Sequence, residues 1–122
     1  MTKIENRVYL LDTTLRDGAQ TLGVDFNPAD KAMIARELNE LGIDYVEGGW
    51  PGANPTDDAF FADLPNMKRS KIAAFGMTRR PGRSADNDPG LAAILSTEAD
   101  CVVMVGKTWD FQVDIALGID CE

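Results

Sequence analysis

Two adjacent residues of opposite charge, Arg16 and Asp17, stand in the stretch LLDTTLRDGAQ (residues 10–20), where an apolar run gives way to polar residues. Their types suit one chemistry. A carboxylate binds a hard divalent cation such as Mg²⁺ or Mn²⁺. A guanidinium keeps its charge and offers a fork of donors to a carboxylate or a developing oxyanion. Together they fit a 2-oxo acid: the cation polarises the ketone and the arginine stabilises negative charge. The same two residues also make a surface ion pair or a turn before Gly18, and the pair alone does not choose between these roles. The chain has no histidine, so the commonest general base and metal ligand is missing from it.

The elements that must position these groups are read from periodicity. Four runs predict strands: Val8–Asp12, Tyr45–Gly48, Lys71–Phe75 and Cys101–Val105. Between the first two, Asn27 can cap a helix, Pro28 fits its first turn, and Asp30 favours its positive end. Ile34, Leu38 and Leu41 recur at helical spacing with Met33 alongside, and Gly42 suits the stop. Shorter helices are expected over Thr56–Leu64, anchored by Ala59, Phe60 and Leu64, and over Pro89–Thr97, with Leu91, Ile94 and Leu95. A fourth starts near Asp110, and QVDIALGIDCE reads as a helix, a turn and the opening of another helix. Strand–helix alternation predicts an α/β fold with a parallel sheet. The run DCVVMVG is apolar on consecutive positions, as in a strand buried on both faces.

Ligands of parallel α/β folds bind beyond the carboxyl ends of the strands. There the sequence places Arg16, Asp17 and Gln20 after strand one, Glu47 and GGWPGANP at strand two, Met77 and Arg80 after strand three, and Lys107 after strand four. Glu47 is a candidate to orient Arg16, or a strand-end carboxylate facing solvent. Gln20, Met77, Arg80 and Lys107 are candidates for substrate binding, with packing or an ordinary loop charge as the plainer roles. Met77 and Trp50 would line the pocket or simply pack. The guanidinium of Arg16 and the carboxylate of Asp17 are expected to point together into one cavity above the sheet.

At 122 residues the chain is one small domain, and its net charge of −8 opposes nonspecific binding to nucleic acid or to an anionic membrane. No apolar run reaches the roughly 18 residues that a membrane span needs. The opening MTKIENR is polar and mixed in charge, unlike a secretory signal. Cys101 and Cys121 lack metal-type spacing; Cys101 is expected to be buried, and free cytoplasmic thiols are the simpler reading.

DTTLRDGAQ resembles the signature of the DRE-TIM metallolyase superfamily, which includes 2-isopropylmalate, homocitrate and citramalate synthases. VEGGWPGANPTD, AFGMTRRPGRSADNDP and VGKTWDF resemble the citramalate synthase branch, and the likeness runs over about residues 8–118. The resemblance implies a TIM-barrel catalytic domain, of which residues 1–122 would be the N-terminal portion, about four βα units. It implies an acyltransferase that condenses acetyl-CoA with a 2-oxo acid in a Claisen-type reaction. Pyruvate giving citramalate, in isoleucine biosynthesis, is the expected case. Arg16 and Glu47 would be catalytic, and Asp17 would be a ligand of Mg²⁺, Mn²⁺ or Zn²⁺. The family's active-site glutamate and H-x-H metal ligands have no match in this chain. Gln112 stands where that branch leads one to expect histidine.

A single carboxylate does not hold a catalytic cation, so the chain alone is expected to bind metal no tighter than roughly millimolar and to lack synthase activity. The edge strands and an apolar inner face of a half barrel predict a homodimer or other self-association, visible by light scattering. Two other readings stay open: a noncatalytic module that binds an anionic metabolite, and a related lyase or aldolase of the same superfamily.

Overall fold

The computed structural model describes residues 6–121. Most of MTKIENR, and residue 122, lie outside the described residues. Four strands form one parallel sheet whose order is the chain order: β1 (Leu11–Asp12), β2 (Tyr45–Gly49), β3 (Lys71–Met77) and β4 (Cys101–Val105). Helices α1 (Pro28–Leu41), α2 (Pro55–Ala62) and α3 (Pro89–Leu95) alternate with them, and a short α4 (Asp110–Gln112) runs into a π-helical turn, Val113–Leu117. All-parallel strands in chain order, joined by helical crossovers, are the arrangement of the first half of a (β/α)₈ barrel.

The local chemistry of each helix is as its sequence requires. Asn27 and Asp30 form a reciprocal capping box on α1, each side chain accepting from the other's backbone N–H. Gly42 ends the helix in the left-handed conformation, with φ 89°, and its N–H returns to the carbonyls of Leu38 and Asn39. Asn54 caps α2 and Asp88 caps α3, each followed by proline in the first turn.

The core lies between the helices and one sheet face. It gathers Leu15, Ala35, Val46, Phe60, Phe61, Ile72, Ala74 and Ile94. Two glycines let helices seat closely on strands. A Cβ on Gly48 would run into the Phe60 ring, and one on Gly76 would run into the Ile94 side chain. Each fully buried large side chain contributes about 1.5–3 kcal/mol of apolar transfer, so Phe60, Phe61 and Ile94 anchor α2 and α3.

Several expectations need correction. Only Leu11–Asp12 of the Val8–Asp12 run pairs as a strand; Val8, Tyr9 and Leu10 are exposed. The deepest stripe of α1 is Lys31, Ala35 and Asn39, whereas Met33 and Leu41 are exposed and Ile34 and Leu38 only pack on the core margin. Asn39 is buried because its side-chain oxygen accepts from the Arg69 and Ser70 N–H groups at the entry to β3. The structure buries Phe60 and Phe61 of α2 but exposes Ala59, and buries Ile94 of α3 but exposes Leu95. β4 is not buried on both faces. Val102 and Met104 are exposed, because α3 packs over β3 and β4 is an edge. Cys101 is half-buried rather than buried, and both thiols are free. Past Gly118, residues 119–121 are irregular, so the second helix anticipated there does not form among the described residues. On the inner sheet face Ala73 and Phe75 are buried, so the exposed apolar side chains lie chiefly at the margins of the sheet rather than across its centre.

Candidate active site

The peptide after β1 turns sharply. Asp12 accepts from the Thr14 N–H at 2.9 Å and from its hydroxyl at 3.1 Å. The Thr13 carbonyl then accepts from the N–H groups of Arg16, Asp17 and Gly18 at 2.8–3.2 Å. In such a helical turn successive side chains fan out by about 100°. Leu15 therefore enters the core, fully buried, while Arg16 and Asp17 face different ways.

Arg16 turns toward β2 and β3. Its Nε donates to the carboxylate of Glu47, which is itself buried at 1% exposure. The guanidinium carbon sits 4.2 Å from the centroid of the Phe75 ring, a cation–π contact in a partly desolvated place. Glu47 and Phe75 share a sheet face because strand side chains alternate, and this face is opposite to that of Gly48 and Gly76. The Arg16 side chain keeps 21% of its surface and lines a cavity of about 310 Å³ together with Gln20, Trp50, Asn54 and Asp57.

Asp17 departs from expectation. Its side chain is 63% exposed and touches Arg16 only through a 3.4 Å contact to Nη1. It lines neither cavity. The pair thus does not line one hollow: the guanidinium borders the first cavity, and the carboxylate beside it is exposed.

Met77, Arg80 and Lys107 line a second, larger cavity of about 810 Å³ above β3 and β4. The sequence candidates are therefore divided, Arg16 and Gln20 in one hollow and these three in the other. Trp50 and Ala53 line both and form the wall between them. The loop that carries Arg80 is tied down by Asp88, which accepts from the Arg80 N–H at 2.6 Å and from the Leu91 N–H at 3.0 Å. These backbone hydrogen bonds hold the Asp88 carboxyl below its ordinary value. Burial, with Asp100 beside it, pushes the Cys101 thiol up.

Two charged residues went unnoticed in the sequence. Lys31 of α1 and Asp57 of α2 form a buried ion pair beside the Arg16 hollow. The other Asp57 oxygen accepts from the Trp50 N–H at 2.9 Å and from the Asn54 amide at 3.0 Å. The acid three residues after Asn54 is an N-terminal capping signature and offered a clue. Lys31 offered none, since a lysine on a helix normally faces water.

Asp17 has free carboxylate oxygens, but no group of three His, Cys, Asp or Glu side chains gathers among the described residues. The described residues thus gather no metal site of their own. Among the described residues no helix is long and apolar enough to cross a membrane.

The HMGL-like family model matches residues 7–122. The chain belongs to the HMGL-like family. Within it, the chain is 51% identical over 117 residues to an (R)-citramalate synthase of Geobacter sulfurreducens, covering 94% of this chain and 22% of that protein. It is 48% identical over 113 residues to an (R)-citramalate synthase of Aquifex aeolicus, covering 91% of this chain and 21% of that one. A 2-isopropylmalate synthase of Pelotomaculum thermopropionicum is 50% identical over 71 residues, covering 58% of this chain and 14% of that protein. The chain thus spans about a fifth of the length of the citramalate synthases it matches. Family membership agrees with the parallel sheet and its helical crossovers.

Proposed function

We propose that residues 1–122 are the N-terminal portion of the TIM-barrel catalytic domain of an acyltransferase that condenses acetyl-CoA with a 2-oxo acid, pyruvate in the first instance. The single observation that carries this reading is the setting of Arg16. Its Nε is occupied by the buried carboxylate of Glu47 and its plane lies over Phe75, so the guanidinium is fixed while part of it still faces a hollow. A cation held in this way suits charge that develops during a reaction, because the donors need not reorganise.

In the proposed condensation a base takes a proton from the methyl group of the acetyl thioester. The enolate carbon bonds to the ketone carbon, and the ketone oxygen, left with the electron pair, takes up a proton. Water then cleaves the thioester, giving a carboxylic acid and the CoA thiol. Arg16 stabilises the oxyanion, Glu47 holds Arg16, and Gln20 lines the same hollow as Arg16. Met77, Arg80 and Lys107 would bind the remainder of the substrates from the larger cavity. Asp17 would be one ligand of a divalent cation, Mg²⁺, Mn²⁺ or Zn²⁺, which when bound polarises the ketone. The other ligands and the base belong to parts of the domain outside these residues. The expected setting is a cytoplasmic enzyme of isoleucine biosynthesis that works as a homodimer, without nucleic acid or membrane.

The test is a CoA-thiol release assay on the full-length protein with pyruvate, 2-oxoisovalerate and 2-oxoglutarate. Pyruvate should be turned over fastest. Pyruvate binding without thiol release would favour a noncatalytic metabolite-binding module. Cleavage of the carbon–carbon bond of a preformed 3-hydroxyacyl-CoA adduct to acetyl-CoA and the 2-oxo acid, with no thiol released, would favour a lyase.

A further inference from the structure

The buried pair between α1 and α2 is a costly feature without an evident structural need. Taking two charges out of water costs several kcal/mol per ion, and well-packed apolar residues in their place are often neutral or stabilising. Lys31 is 1% exposed and Asp57 is 8% exposed. What the pair does is visible in its neighbours. One Asp57 oxygen takes the Lys31 ammonium; the other takes the Trp50 N–H and the Asn54 amide. Trp50 directly follows β2, just past a register shift between Glu47 and Gly49 in its pairing with β3. Gly49 has φ 152°, and a Cβ there would lie 2.6 Å from the Asp57 carboxyl carbon, so backbone and carboxylate are in close contact. The Trp50 ring meets Phe75 edge-on at 5.2 Å between centroids. The Phe75 ring in turn carries the Arg16 guanidinium.

We infer that Asp57 is a positioning residue for Arg16: it fixes the Trp50 backbone, Trp50 braces the Phe75 ring, and Phe75 with Glu47 sets the direction of the guanidinium. Lys31 is the counter-charge that allows a carboxylate to stand between two helices. The importance of Arg16 to turnover rests on the condensation reading; the positioning itself does not.

The test compares two charge-free double variants of the full-length protein, Lys31→Met/Asp57→Asn and Lys31→Met/Asp57→Leu. Both remove the ion pair, and only the first keeps an oxygen that can accept from the Trp50 N–H. The readout is the Arg16 Nε–H signal in ¹⁵N NMR, which senses the Glu47 hydrogen bond and the ring current of Phe75. The Asn variant should keep the wild-type shift and exchange rate. The Leu variant should lose the shift and exchange with water about tenfold faster, as expected where a local hydrogen bond opens more often. The same signal in both folded variants would overturn the proposal. If the Leu variant does not fold, Trp50→Leu decides: the signal should move toward that of a free arginine, and an unmoved signal refutes the chain of contacts. No turnover is needed, so this result and the thiol-release assay can fail independently.

Discussion

The two rims of the sheet differ in how they treat charge. Above β1 and β2 the charges are paired: Arg16 with Glu47 and Asp17, and Lys31 with Asp57. Among the described residues every ion pair lies within residues 7–57. Above β3 and β4, Arg80 and Lys107 line an open cavity with no carboxylate partner within ion-pair distance among the described residues. The first rim is built for direction, since a guanidinium fixed on three sides keeps one orientation. The second is built for field, since solvated cations raise local potential without selecting a geometry. The difference teaches that cations at strand ends are not equivalent candidates, and that burial of the partner separates them.

The largest effect should come from breaking the first rim. Arg16→Met leaves Glu47 buried and unpaired, and should cost about 3 kcal/mol in urea unfolding. Glu47→Gln leaves only Arg16, whose side chain can still reach water at 21% exposure, and should cost about 1 kcal/mol. Equal costs would mean that Glu47 is wetter than its position implies. On the proposed condensation, Arg16→Met in the full-length protein should lower kcat at least a hundredfold, the usual loss on removing an oxyanion donor.

A packing substitution probes the second half without touching charge. Gly76→Ala drives a methyl into Ile94 and should destabilise by about 2 kcal/mol, measured by thermal or urea unfolding. A neutral result would show that α3 moves away from β3 easily, and that the second rim is softer than the first.

Removing the second rim's cations should act on ligand and not on fold. Arg80→Ala/Lys107→Ala should change stability by less than about 0.5 kcal/mol. In the full-length enzyme it should weaken 2-oxo acid binding by roughly tenfold, which is about 1.4 kcal/mol. A stability loss as large as that of Arg16→Met would erase the contrast between the rims.

The smallest effect concerns pH. The Asp88 carboxyl is held below its ordinary value of 3.8 by N–H groups that bond to its ionised form. A carboxyl so lowered stabilises the fold above that ordinary value, and the contribution is lost as pH falls through the depressed one. The amide signals of Arg80 and Leu91 should therefore titrate with a midpoint below 3.8. A midpoint at or above that value would mean that the Asp88 tether does not hold the loop.

Much of the framework was legible in the residues. The capping box at Asn27 and Asp30, the stop at Gly42 and the run Cys101–Val105 are local events, decided within one turn or one strand. The pairing of Arg16 with Glu47 was legible in outline, because Arg16 follows β1 and Glu47 lies near the end of β2, strands that a parallel sheet sets side by side. The faces of the helices were less so. Periodicity selected Leu41 and Leu95 as anchors, yet both are exposed, since an apolar stripe tells which side is apolar and not which part of it meets the sheet.

By itself the sequence determined the order of elements, the caps and turns, and the strand ends at which chemistry could occur, because these depend on residues close together in the chain. Only the tertiary structure decided that Arg16 is largely buried while Asp17 is exposed, that Trp50 divides two hollows, and that Lys31 and Asp57 are buried together. Those outcomes depend on contacts between groups about 26–59 residues apart, from Lys31 and Asp57 to Arg16 and Phe75. Their energies are set by how much water each charge loses, and no local pattern of residue types encodes that quantity.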